Sequence, residues 1–136
     1  MYYIKSIMNN NIFKILEYFY YFSLVILFIL YLYPGSLIGY LFYGNLSQQP
    51  DLISNPIGTS INHLISFICL SSLAFIVRVG EKRFLNSFQF LFFNSILLEI
   101  LHYFIPNRAF EYYDLFANFI GVILGYLFIK FILKLK

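Results

Sequence analysis

Charged residues are scarce in this 136-residue chain, and tryptophan is absent. Asp, Glu, Lys and Arg make up 11% of the sequence, whereas about 25% is usual in soluble domains. With so few charges, the chain lacks the polar groups that would cover the surface of a soluble domain. Cys69 is the single cysteine, which excludes a secreted fold held together by disulfides.

Apolar residues are abundant instead, at 61% of the chain, and they include 18 phenylalanines and 13 tyrosines. This hydrophobicity excludes intrinsic disorder, because disordered segments carry too little apolar surface to form a core. The composition therefore predicts a small membrane-embedded protein with a single domain over residues 1–136.

Four apolar segments are long enough to cross a bilayer, which needs about 20 residues of helix. They cover residues 12–33, 61–79, 84–105 and 113–133. Backbone polar groups in lipid must be satisfied within their own segment, so each span is predicted to be a helix. The predicted fold class is all-α, with four transmembrane helices in a compact bundle.

Basic residues are distributed unequally between the two predicted membrane faces. With four spans, one side holds eight of the nine basic residues: Lys5, Lys14, Arg78, Lys82, Arg83, Lys130, Lys134 and Lys136. Arg108 is alone on the opposite side. Because positive residues favour the cytoplasmic side, both termini are predicted to be cytoplasmic. The asymmetry also accounts for the net charge of +3, so no nucleic-acid partner is predicted.

Six polar or ionisable residues fall toward the other, outer side: His63, Glu99, His102, Arg108, Asp114 and Asn118. Such groups are costly in a membrane and are expected to contact one another. Glu99 and His102 lie one helical turn apart, and Asp114 and Asn118 share a helix face. The sequence therefore predicts one polar cluster that faces the interior of the bundle.

Gly121 and Gly125 continue the face of Asp114 and Asn118 with a spacing of four residues. Small residues at this spacing allow a second helix backbone to approach closely. We therefore predict that these two glycines serve helix packing and turn Asp114 and Asn118 toward a neighbouring helix.

Three interpretations of the polar cluster are open. In a structural cluster, Arg108 would neutralise Asp114 or Glu99. In a ligand-binding pocket, Arg108 would bind a carboxylate or phosphate, and Glu99 and His102 would offer an acid and a base. A metal site would use His63, His102, Glu99 and Asp114, but no HExxH-like spacing supports it. The favoured prediction is the ligand-binding pocket, with no cofactor, no metal site and no catalytic residue assigned.

Part of the chain resembles the VanZ-like membrane proteins. The resemblance lies in Glu99-Ile-Leu-His102, Pro106-Asn-Arg108 and the segment from Asp114 through Asn118 to Gly121 and Gly125. Asn62-His63 is similar to the histidine element near the start of the family's second span. The similarity extends over residues 55 to 130, and its arginine, aspartate, asparagine and glycine positions are the most specific part.

The chain departs from the family pattern in two places. His102 stands where the family usually has glutamine, and the acidic residue and lysine that often precede the family's histidine are absent. The resemblance implies a multi-pass protein of the bacterial inner membrane. The founding members of the family are associated with low-level resistance to the glycopeptide teicoplanin.

The function expected from these observations is the binding of a lipid or lipid-linked envelope ligand at the polar cluster. One alternative is a small accessory subunit of a larger membrane complex. Another is an enzyme that acts on a lipid-linked substrate, with Glu99 or His102 as general base. The expected partners are membrane lipid and either another membrane protein or further copies of the chain.

Overall fold

The computed structural model describes residues 10–50 and 58–134, which are helical and contain no strand. The helices are α1 (Asn10–Leu32), α2 (Leu37–Tyr43), α3 (Gly58–Gly80), α4 (Phe88–Leu101) and α5 (Tyr112–Lys134), with 3-10 turns at Phe84–Asn86 and His102–Phe104. The predicted all-α class is confirmed. The predictions that involve Lys5 and Lys136 lie outside the described residues.

Three of these helices, α1, α3 and α5, are long and apolar enough to cross a membrane. They match the predicted spans at residues 12–33, 61–79 and 113–133. The third predicted span, at residues 84–105, is shorter in the structure, because α4 begins only after the 3-10 turn at Phe84–Asn86 and is 14 residues long. With the 3-10 turn that follows, it forms a shorter apolar helix over Phe88–Phe104. A fourth complete span therefore stays a prediction.

Polar residues before α4 and a proline after it account for its shorter length. Ser87 is the N-cap, and its hydroxyl accepts a hydrogen bond from the Phe90 N–H at 3.1 Å. Asn86 holds the preceding turn through its side chain, which accepts from the Arg83 N–H at 3.0 Å. At the other end, Ile105 is extended, as expected for the residue that precedes a proline.

Helices α3 and α5 make the closest contact in the bundle. A Cβ atom on Gly121 would lie 2.7 Å from the Cβ of Phe67. A Cβ atom on Gly125 would lie 2.9 Å from the carbonyl oxygen of Ile68. The Ser71 hydroxyl donates to the Gly121 carbonyl across this contact, at 3.3 Å. The absence of side chains on these two glycines thus lets the two helix backbones touch.

One face of α1 packs against α3 and α4, and the other faces outward. The inward face carries Tyr20, Leu24, Leu27 and Tyr31, all buried. Their spacing of three and four residues places them on one side of a helix. Large apolar side chains of α1 are exposed on the other side: Tyr18, Phe22, Val25 and Ile29. Such a surface is suited to lipid rather than water.

Several of the described basic residues gather at one end of the bundle, whereas Arg108 lies near the other end. Arg83 forms an ion pair with Glu17 near the start of α1, at 3.2 Å. Arg78 and Lys82 line a cavity together with Lys130, which lies near the end of α5. The bundle thus has a basic end, which is defined by these residues. The cytoplasmic location of this end stays a prediction.

The orientation can be tested by cysteine labelling of intact cells in a Cys69→Ser background. We expect a membrane-impermeant maleimide to label Ser47→Cys, in the exposed loop after α2, and not Lys82→Cys at the basic end. Permeabilised cells provide the control, since both cysteines should then react. Labelling of Lys82→Cys but not Ser47→Cys in intact cells would contradict the predicted orientation and indicate the opposite one.

The helix contact can be tested with Gly121→Ala. The added methyl group would also meet the Leu64 carbonyl oxygen at 2.8 Å, so α3 and α5 must separate. We expect the free energy of unfolding to fall by about 1–3 kcal/mol, measured by circular dichroism in detergent. Ile120→Ala is the matched control on the exposed face of α5. Equal stability of the two variants would contradict the close contact.

Candidate functional site

Five of the six predicted polar residues come together near the end of the bundle opposite the basic end. They lie on α3, α4, α5 and the turn that follows α4, and all five are buried: His63, Glu99, His102, Asp114 and Asn118. We call these five residues the polar cluster. Arg108 is half-buried beside it, in the loop between α4 and α5.

Glu99 lies at the centre of the polar cluster and is completely buried. Its Oε1 accepts a hydrogen bond from the Glu111 backbone N–H at 3.1 Å. Its Oε2 lies 3.3 Å from Nδ1 of His102, 3.5 Å from Nδ2 of Asn118 and 3.7 Å from Nδ1 of His63. Residues on several elements therefore surround this one carboxylate.

Asp114 lies in the first turn of α5, where a negative charge is favoured by the helix dipole. Its Oδ1 accepts a hydrogen bond from the Ser60 hydroxyl at 2.5 Å, and its Oδ2 lies 3.7 Å from Nε2 of His63. The imidazole of His63 is thus placed between the two buried carboxylates.

The partners of His102 indicate which of its ring nitrogens carries a hydrogen. Its Nε2 lies 3.1 Å from the backbone carbonyl oxygen of Tyr31. A carbonyl oxygen only accepts, so Nε2 carries a hydrogen. The opposite nitrogen, Nδ1, faces Oε2 of Glu99. A hydrogen bond between these two atoms requires a further proton, which either His102 or Glu99 can carry.

Two residues of the site were missed by the sequence reasoning: Tyr31, within the predicted span 12–33, and Ser60, just before the predicted span 61–79. Tyr31 donates its hydroxyl to Oδ1 of Asn118 at 2.8 Å. Its ring stacks on His102, with 5.5 Å between ring centroids, and tilts against His63 at 4.9 Å. Ser60 is the other missed residue. The only sequence signal was spacing, because Ser60 precedes His63 by one helical turn.

Arg108 makes no direct ion pair with Glu99 or Asp114. The ion pairs found among the described residues do not include it. Its guanidinium donates to the Leu30 carbonyl at 2.6 Å and to the Tyr33 carbonyl at 3.4 Å, both at the end of α1. The structural interpretation that pairs Arg108 with either carboxylate is therefore wrong. Burial lowers the pKa of Arg108 from its usual value.

Two cavities adjoin the polar cluster. The larger, of about 360 Å³, has apolar walls that include Leu30, Leu37, Ile38, Phe42 and Ile65, and polar lining from His63, His102 and Arg108. The smaller, of about 240 Å³, is lined mainly by polar residues, among them His63, Asp114 and Arg108. The larger volume is in the range typical of small-molecule sites.

The cluster also groups potential metal ligands. One ligand atom from each of His63, Glu99 and Asp114 can be chosen so that all three lie within 4.8 Å of one another. His102 is not part of this group. The arrangement can therefore support proton exchange at the Glu99–His102 pair, anion binding at Arg108, or cation binding between the carboxylates.

Comparison with known proteins gives one match. A family model described as VanZ/LLP1 matches residues 3–133, which is nearly the whole chain. No curated protein matches, and no solved structure matches.

The contribution of Ser60 can be measured by replacing it with alanine. Ser60→Ala leaves one oxygen of buried Asp114 without its donor, so the free energy of unfolding should fall by about 1–3 kcal/mol. The control is Ser66→Ala on the same helix, where an exposed hydroxyl bonds the Asn62 carbonyl and a change within about 0.5 kcal/mol is expected. If thermal unfolding showed similar losses of stability for Ser60→Ala and Ser66→Ala, the role assigned to Ser60 would be contradicted.

Proposed function

The chain belongs to the VanZ/LLP1 family, and from this membership and the surroundings of Arg108 we propose that it is a membrane protein that binds an anionic lipid or lipid-linked envelope ligand. The ligand's anionic group would contact Arg108 beside the polar cluster. In the proposed orientation, this end of the bundle faces outward from the bacterial inner membrane.

The observation that carries this proposal is a half-buried guanidinium whose partners in the described residues are neutral. Besides the α1 carbonyls, Arg108 donates to Oε1 of Gln49 at 3.5 Å. These three bonds use only some of the N–H donors of arginine. Because burial of a charge without an opposite charge is costly, an anionic ligand would stabilise this site. Arginine is also well suited to bidentate contacts with carboxylate or phosphate.

The larger cavity supports an amphipathic ligand in particular. Its apolar walls come from α1, α2 and α3, while Arg108 and His102 supply its polar side. A headgroup at Arg108 and an acyl or isoprenoid chain along the walls would match this division. The anion would then not contact Asn118, Glu99 or Asp114 directly. These three residues would instead hold in place the side chains that they contact.

An enzymatic role is the second candidate, and the pairing of Glu99 with His102 favours it. The two side chains share a proton site, and His102 lines both cavities. A group in this position can act as a general acid or base toward a bound ligand. In this case Glu99→Gln would abolish turnover of a lipid-linked substrate and leave its binding intact.

The family resemblance also suggests a phenotype. If the proposed ligand is an envelope intermediate, production of the protein in a teicoplanin-susceptible bacterium should raise the inhibitory concentration of teicoplanin. Arg108→Gln should remove that effect while the protein is still present in the membrane. If Arg108→Gln raised the inhibitory concentration of teicoplanin as much as the wild-type protein does, any resistance phenotype would be independent of the Arg108 site.

Lipid binding can be tested by native mass spectrometry of the protein released gently from its own membrane. We expect a discrete bound anionic lipid on the wild-type protein and its loss in Arg108→Gln. Glutamine removes the charge and keeps a polar amide at this half-buried loop position, so the fold should be retained. Arg83→Gln, at the exposed basic end, is the matched control and should keep the lipid.

Two results would contradict the proposal. One is equal lipid occupancy in the wild-type protein and Arg108→Gln. The other is a wild-type protein without lipid that co-purifies with a stoichiometric partner protein, which would favour the accessory-subunit alternative.

A further inference from the structure

We propose that His63, Glu99 and Asp114 form a binding site for a divalent transition-metal ion of the Zn²⁺ class. This site is distinct from the anion site at Arg108 and does not depend on it. The ligand set is one imidazole nitrogen and two carboxylate oxygens, donors that suit Zn²⁺ and neighbouring first-row ions.

The first observation is the spacing of the ligand atoms. His63 Nδ1 lies 3.7 Å from Oε2 of Glu99, and Nε2 lies 3.7 Å from Oδ2 of Asp114. Both distances are too long for hydrogen bonds. A single ion can bind only one of these two nitrogens, so the carboxylate that faces the other nitrogen must reach the ion from beside the ring. Two ligands of one tetrahedral ion lie roughly 3.4 Å apart when each bond is about 2.1 Å. One ligand atom from each of the three residues lies within 4.8 Å of the others, so these side chains would have to move closer together to bind an ion at that spacing.

The second observation is independent of that spacing. Nδ1 of His63 is buried and has no hydrogen-bond partner among residues 10–50 and 58–134, although the residue is only 5% exposed. Buried polar atoms are normally paired, so an orphan atom in a polar cluster requires an explanation. This nitrogen faces Glu99, and a metal ion between them would satisfy it.

Charge balance supports the same assignment. Glu99 and Asp114 are both buried, and in the described part of the chain their ion-pair partners are histidines rather than lysine or arginine. A divalent cation with a neutral His63 balances two carboxylates without an added proton on the imidazole. The desolvation cost of two buried negative charges is then offset by direct coordination.

Neighbouring residues form the outer support that metal ligands usually have. The Ser60 hydroxyl fixes Asp114, and the Glu111 N–H and His102 fix Glu99. The smaller cavity reaches His63 and Asp114. It supplies an entry path for the ion and room for a water molecule in a remaining coordination position.

The test is metal binding by the full chain, purified in detergent with a tag free of histidine and stripped with a chelator. On addition of Zn²⁺, native mass spectrometry should show one ion per chain, and Ca²⁺ should not replace it. His63→Gln should weaken Zn²⁺ binding by more than the roughly 10–100-fold typical of losing an outer-shell partner. Glu111→Gln, a nearby exposed carboxylate outside the ligand set, should bind as wild type does.

Co²⁺ gives a second readout if His63→Gln does not fold. The wild-type protein with Co²⁺ should show the visible absorption bands of a site with nitrogen and oxygen ligands. Their absence in the folded protein would overturn the proposal, as would equal Zn²⁺ binding by wild type and His63→Gln. Arg108→Gln should keep the ion and lose the lipid, so failure of the metal site and failure of the lipid site give different results.

Discussion

The close contact between α3 and α5 determines how the groups that these two helices contribute to the polar cluster meet. Without side chains at Gly121 and Gly125, the two backbones touch along the middle of the bundle. The first turn of α3 is thereby held beside the first turn of α5. Ser60 and His63 reach Asp114 as a result, and Asn118 is turned inward toward Glu99. A wider separation of these helices would part Asp114 from Ser60 and His63.

The partners of the two carboxylates explain why Arg108 is available to a ligand. Hydroxyl, amide and imidazole groups within the bundle surround Glu99 and Asp114. The guanidinium is held instead by carbonyl groups at the end of α1, where the helix dipole favours a positive charge. Opposite charges are thus close together but not paired, which leaves a site for an anion and a separate site for a cation.

Most of the helical architecture could be predicted from the sequence, because length and hydropathy alone define spans in a lipid environment. The inward position of Asp114 and Asn118 also follows from their spacing with two glycines. The late start of α4 could not be predicted from hydropathy, since it is set by hydrogen bonds of Asn86 and Ser87. Tyr31 was missed for a related reason. Among 13 tyrosines, nothing in the local pattern marks the one whose hydroxyl finds a partner 87 positions away.

The short length of α4 has a consequence for the surrounding lipid. At 1.5 Å per residue, its 14 residues cover about 21 Å, and the three residues of the following 3-10 turn add about 6 Å, against a hydrocarbon thickness of about 30 Å. A bilayer accommodates such a mismatch by thinning locally. The headgroups beside α4 would then lie deeper than those elsewhere around the protein, closer to the level of Glu99 and His102. A lipid could approach the polar cluster sideways from this depression, with little of its chain leaving the membrane.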